Sequence, residues 1–121
     1  MSKKIALDFD GTLSYYDGYS RELGQPIPLM VERVKFWLKK GYEIKIFTAR
    51  VSGKYLIGAS EIAKKDAQEQ EDKIAKWLID NGLPAFKITA VKEHGFSEYW
   101  DDRAVGVELN TGKVRATENV R

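Results

Sequence analysis

The sequence predicts an α/β domain, a central parallel sheet with crossover helices on its faces. Two observations carry that prediction. Short apolar runs alternate with segments of helical period along the chain, the pattern of strands joined by crossover helices. The runs also end in polar residues: Asp8 and Asp10, Thr48, then Asp101 and Asp102. In open α/β sheets, the carboxyl ends of the strands are where ligands bind. No segment reads as a linker, an internal repeat or a low-complexity tract, so residues 1–121 are taken as one domain.

The first strand is Ile5–Phe9, entered from Lys3–Lys4 and ended by Asp10–Gly11. A loop with Tyr15, Tyr16, Gly18 and Tyr19 follows and closes at Gly24–Pro28. Met30, Val31, Val34, Trp37 and Leu38 recur at helical spacing, with Gly41 as the stop. Ile44–Phe47 is a second strand running into Thr48–Ala49–Arg50. Residues 51–60 carry no clear period. A helix starts near Glu61 and ends at Leu78–Ile79, before the stop signal Asn81–Gly82–Leu83–Pro84. Phe86–Thr89 and Glu98–Trp100 are the third and fourth strands. Val105–Leu109 and Val114–Ala116, flanking Asn110–Lys113, suggest a C-terminal β-hairpin.

Composition narrows the function classes. The chain has 43% hydrophobic and 31% charged residues, an ordinary globular balance. Its net charge of +2 is too mild to argue for nucleic acid. With no cysteine, thiolate catalysis, disulfides and Cys-based zinc sites are excluded. No apolar run reaches the length of a membrane span and the N-terminus lacks a signal-peptide core, so a soluble, cytoplasmic protein without a membrane partner is expected.

The string Asp8-Phe9-Asp10-Gly11-Thr12-Leu13 is the most informative. Residues two apart in an extended segment face the same way, so two carboxylates converge while Phe9 packs on the other side. Carboxylates that close repel unless a cation or proton sits between them. A hard, oxygen-liganded ion, magnesium above all, meets that need. A carboxylate attacking phosphorus gives an aspartyl-phosphate, which a second carboxylate can help water hydrolyse. An Asp-x-Asp pair alone reads more readily as a solvated strand-end turn; the full string after an apolar strand reverses that balance in favour of chemistry.

The other clusters suit the same task. The Thr48 hydroxyl can donate to a phosphoryl oxygen, and Arg50 can supply a bidentate fork. Lys92, after the third strand, offers the fixed positive charge that a transferring phosphoryl group needs, with Lys87 as its rival. Asp101–Asp102 is either a helix N-cap pair or a metal-sharing pair.

Together, Asp8-Phe9-Asp10-Gly11-Thr12-Leu13, Phe47-Thr48-Ala49-Arg50, Lys92 and Tyr99-Trp100-Asp101-Asp102-Arg103 resemble the haloacid dehalogenase (HAD) superfamily, in the family's order and across nearly the whole chain. The resemblance implies a Rossmannoid three-layer domain whose first strand is central, between the second and fourth. It also implies a magnesium-dependent phosphomonoester hydrolase. Asp8 becomes nucleophile and metal ligand. Asp10 becomes general acid/base and lends its backbone carbonyl to the metal. Thr48 holds the phosphoryl group, and Lys92 steadies Asp8. Asp101 and Asp102 complete the metal shell, with Asp102 the preferred ligand, and the amides of Phe9 and Asp10 form part of the phosphate cradle. Only about 35 residues separate the first two motifs, which leaves no room there for the cap domain of many relatives. Capless relatives often act on bulky phosphorylated substrates.

Two other functions compete. Asp101-Asp102-Arg103 and the position of Arg50 also resemble the phosphatase half of polynucleotide kinase/phosphatase enzymes, which implies a polynucleotide 3′-phosphatase. The near-neutral charge counts against this, and a basic channel leading to Asp8 would favour it. The third possibility is a non-catalytic binding or regulatory module on the same fold. Tyr15, Tyr16 and Tyr19 could stack on a base or gate the site, or simply pack on its rim.

Overall fold

A computed structural model describes residues 3–115. Its elements run β1 (Lys4–Leu7), α1 (Pro28–Lys39), β2 (Glu43–Phe47), a 3-10 helix (Ala49–Lys54), α2 (Glu61–Asp80), β3 (Lys87–Thr89) and β4 (Glu98–Trp100). The four strands form one sheet in the order β3-β2-β1-β4, and every pairing is parallel. The first strand is therefore central, between the second and fourth, as expected. Among the described residues no helix is long and apolar enough to cross a membrane.

Local chemistry explains the boundaries. Pro28 opens α1, where its missing N–H costs nothing, and the left-handed Gly41 lies just past its end. The Ser60 hydroxyl caps α2 by accepting from the Ala63 amide at 3.1 Å. Beyond Asn81, the Gly82 amide bonds the Ile79 carbonyl and the Leu83 amide the Leu78 carbonyl. That pair of bonds is a Schellman stop, and it brings buried Leu83 back onto the helix end. β1 ends two residues earlier than expected. The Asp8 amide still bonds the Trp100 carbonyl at 2.9 Å, but the Phe9 carbonyl gathers the amides of Thr12, Leu13 and Ser14 and turns the chain.

Both helices cover one face of the sheet. Ile5, Leu7, Ile44, Ile46 and Ile88 meet Val31, Val34, Trp37, Ile74 and Leu78 in one buried core. Edge-on contacts of Trp37 with Trp100 and of Phe9 with Trp77, each 4.9 Å between centroids, tie the two helices to the strand ends. On the opposite face Ala6 stands between its register partners Lys45 and Tyr99. The third layer there is thin. Residues 90–97 cross it as coil, with Phe96 seated 6.5 Å from Phe47 and 5.4 Å from Tyr99, and Glu93 paired to Lys4 and Lys45.

The expectation of crossover helices on both faces is corrected here. The chain must pass from one sheet edge to the other, about 14 Å sideways and about 10 Å back down the strands. Eight residues of helix reach only about 12 Å, so this connection has to be extended. The C-terminal hairpin is also slighter than expected. One antiparallel bridge, Val107 with Val114, closes a turn in which Asn110 (φ 63°) and Gly112 (φ 77°) are left-handed. Val105, Val107, Leu109 and Val114 are all exposed, so little burial favours longer pairing. Ala116 lies outside the described residues.

Candidate active site

The central strand delivers Asp8 to the carboxyl edge of the sheet, and β4 delivers Asp101 and Asp102 beside it. One carboxylate oxygen from each of the three lies within 4.8 Å of the others. Thr12 ties the group together. Its hydroxyl accepts from the Asp102 amide at 3.1 Å, and its single proton is shared between Asp8 Oδ2 (3.0 Å) and Asp102 Oδ1 (3.2 Å). Gly11 lets the loop approach so closely. It sits at φ 81°, and a Cβ there would lie 2.8 Å from Asp102 Oδ2.

Three converging carboxylates impose an electrostatic cost. The Asp8 carboxyl is pushed up to about 7, mainly by burial, then by its hydrogen bond with Asp102 and the negative charge of Asp101; Thr12 opposes this. The donor set is oxygen only, convergent and over-charged, so it fits a hard divalent cation such as magnesium. Asp8, Asp101 and Asp102 would hold it through their side chains. Asp10 has no place in that carboxylate group.

The Asp10 side chain is engaged elsewhere. Arg50 Nε donates to its Oδ2 at 2.7 Å and Nη2 to its Oδ1 at 2.9 Å. Nη1 of the same guanidinium donates to the Arg21 carbonyl and to Gln70 Oε1. Arg50, expected to fork a phosphoryl group, thus forks Asp10 instead, and buried Gln70 on α2 anchors it. The physical reason is charge. Asp10 presents a carboxylate at the same rim, and a guanidinium and carboxylate match as planar partners.

Thr48 is buried and caps the 3-10 helix, accepting from the Arg50 amide at 3.2 Å. Its O–H stays available to a ligand oxygen. The amides of Phe9 and Asp10 have no hydrogen-bond partner among the described residues, as a phosphate cradle requires. Lys92 is not brought in. Its ammonium lies 5.4 Å from the Tyr99 ring centroid, and it pairs with no carboxylate among the described residues. Its expected contact with Asp8 is absent, because the Tyr99 face draws the chain sideways. Lys87, its rival, is exposed on the edge strand.

A pocket of about 290 Å³ opens over these groups, lined by Asp8, Asp10, Thr48, Asp101 and Asp102 together with Arg50. Three further lining residues were not singled out as site residues from sequence, Tyr16, Ala49 and Arg103. Arg103 directly follows the aspartate pair, which was the available signal. Of the three loop tyrosines only Tyr16 lines this pocket.

The chain is similar to a solved structure of a conserved protein from Bacteroides thetaiotaomicron, at 23% identity and a TM-score of 0.58. The match covers 89% of this chain and 83% of the other, and it bears on the fold alone. No protein-family model matches the chain, and no curated protein does.

Proposed function

We propose that this protein is a magnesium-dependent phosphomonoesterase working through an aspartyl-phosphate on Asp8, as a capless relative of the haloacid dehalogenase superfamily. The observation that carries the reading is the convergence of Asp8, Asp101 and Asp102 within 4.8 Å at the mouth of a pocket that also holds Asp10 and Thr48. Magnesium, when bound, offsets the carboxylate charge and stabilises charge on the transferring phosphoryl group.

The rest is done by the chain. The Thr48 hydroxyl and the amides of Phe9 and Asp10 hold the phosphoryl oxygens. Asp8 attacks phosphorus while the bond to the leaving oxygen breaks, and Asp10 gives that oxygen a proton. Water then attacks phosphorus, passes a proton to Asp10 and releases Asp8 with inorganic phosphate. The Arg50 fork orients Asp10 in its carboxylate form, the form that takes the proton from the attacking water; giving a proton to the leaving oxygen requires one arm of the fork to open.

The pocket lining does not favour the polynucleotide reading. Asp8, Asp10, Asp101 and Asp102 face only Arg50 and Arg103, and Arg50 is taken up by Asp10. The test is hydrolysis of p-nitrophenyl phosphate with magnesium, against Asp8→Asn. Turnover by the native chain should exceed that of the variant by at least about a hundredfold. Equal rates would overturn the proposal, as would failure of beryllofluoride with magnesium to raise the melting temperature.

A further inference from the structure

The phosphate pocket does not stop at Asp10. A second, shallower hollow of about 290 Å³ shares Asp10, Tyr16, Ala49 and Arg50 with it and runs on to Tyr19, Ser20 and Arg21. In the proposed reaction Asp10 gives its proton to the leaving oxygen, so the leaving group departs on this side. The phosphoryl chemistry itself uses none of Tyr19, Ser20 and Arg21.

This groove is held in place, and its charges are already matched. Arg50 forks Asp10 through Nε and Nη2, and Nη1 of the same guanidinium donates to the Arg21 carbonyl at 2.7 Å. One side chain thus sets the groove wall against the general acid. Arg21 Nη2 in turn reaches both oxygens of Asp66, at 3.0 and 3.1 Å. The Asp17 carboxylate accepts from the amides of Tyr19 and Ser20, at 2.8 and 2.9 Å, and fixes the loop tip. Asp10, Arg21 and Arg50 therefore leave no unmatched charge in the lining for a charged leaving group to meet. What stays open is aromatic. Tyr16 and Tyr19 are exposed, and among the described residues neither ring meets another aromatic ring or a cation. A tyrosine ring offers a broad, stiff contact face with little side-chain entropy to lose, which suits a flat partner.

We propose, resting on the phosphatase reading, that this groove makes the protein selective for phosphate esters of flat, uncharged aromatic groups. The aromatic group lies against Tyr16 and Tyr19 while the phosphoryl group sits at Asp8. Both faces are open, so flatness is selected and length is not. Only non-covalent contacts are added.

The test compares benzylphosphonate with cyclohexylmethylphosphonate, each titrated calorimetrically into the full chain with magnesium. The two carry the same acid group and similar bulk but differ in flatness, and neither can be hydrolysed. The saturated ring is the more apolar, so burial alone would favour it. Binding alone is read, and hydrolysis of p-nitrophenyl phosphate decides the phosphatase proposal separately. Benzylphosphonate should bind about threefold to tenfold more tightly. Replacing both rings, Tyr16→Leu with Tyr19→Leu, keeps apolar bulk at two exposed positions and should abolish that preference. Damage to the phosphate contacts would move both ligands together, so the ratio reports the groove. The inference is overturned if neither phosphonate binds, if the two bind alike, or if the native ratio survives in the double variant.

Discussion

Asp8 stands at pH-dependent odds with its own surroundings. In metal-free protein its carboxyl is raised from 3.8 to about 7, chiefly by burial. Between those values the folded state holds a proton that the unfolded chain has released. The stabilisation is therefore complete below about pH 4 and is lost as pH rises towards 7. Asp8→Asn keeps the shape and removes the charge. In thermal melts with EDTA, the native chain should lose on the order of 1 kcal/mol relative to Asp8→Asn between about pH 5 and pH 8, after discounting for partial exposure. Parallel curves across that window would refute the buried-charge account.

Arg50 makes the second prediction at this scale. Lysine keeps a positive charge but cannot hold both Asp10 oxygens. Arg50→Lys should lower kcat for a phosphomonoester by about tenfold to a hundredfold, with KM changing less, because Asp10 loses direction while the phosphate donors remain. A rise in KM at constant kcat would instead make Arg50 a phosphate ligand. This was the hardest residue to read from sequence. Asp8, Asp10, Thr48, Asp101 and Asp102 sit at strand ends, where alternation and order place them. The partner of Arg50 lies 40 positions away, and spacing cannot tell a carboxylate from a phosphate. Lys92 was named from sequence, but its direction was not legible for a similar reason: its ammonium goes to the Tyr99 ring, a contact that its distance from β3 does not encode.

Among the elements, the 3-10 helix was the one without a sequence signal, since a single short turn has no apolar period to detect. Its position comes from packing. Gly53 runs against α2 so closely that a Cβ would lie 2.4 Å from the Ala63 carbonyl oxygen. The same short helix carries Arg50, so its seating on α2 aims the guanidinium at Asp10 and Gln70. Gly53→Ala must push the two helices apart and should cost about 1–3 kcal/mol in urea unfolding. Activity at a temperature where the variant is fully folded should also drop. A destabilised variant with native turnover would separate the seating of this helix from the geometry of Asp10. The long helices and the buried strands, by contrast, were legible because their caps and apolar periods lie within their own sequences.

For the whole molecule, the decisive feature is what stands over the site. The segment from Tyr15 to Ile27 could have been a lid, but it is pinned to the core. The Tyr15 amide bonds the Gln25 carbonyl, the Gly24 amide bonds Ser14 Oγ, and the Trp77 indole donates to the Gly24 carbonyl at 2.8 Å. A Cβ at Gly24 would meet the Tyr15 carbonyl, so the two strands of this loop lie in direct contact. Asp101, Asp102 and Arg103 remain exposed at the rim. Nothing among the described residues encloses the pocket, so under the proposed reaction little of a substrate beyond its phosphoryl group is selected by shape. Uniform binding of the phosphoryl group, with few contacts to the remainder, predicts that kcat/KM depends on leaving-group chemistry much more than on size. Phosphotyrosine free and within a ten-residue peptide should therefore be hydrolysed with kcat/KM values within about tenfold of each other. A hundredfold preference for the free amino acid would require an enclosure that these residues do not build. An equally large preference for the peptide would instead place binding energy on the surface around Tyr16 and Arg103.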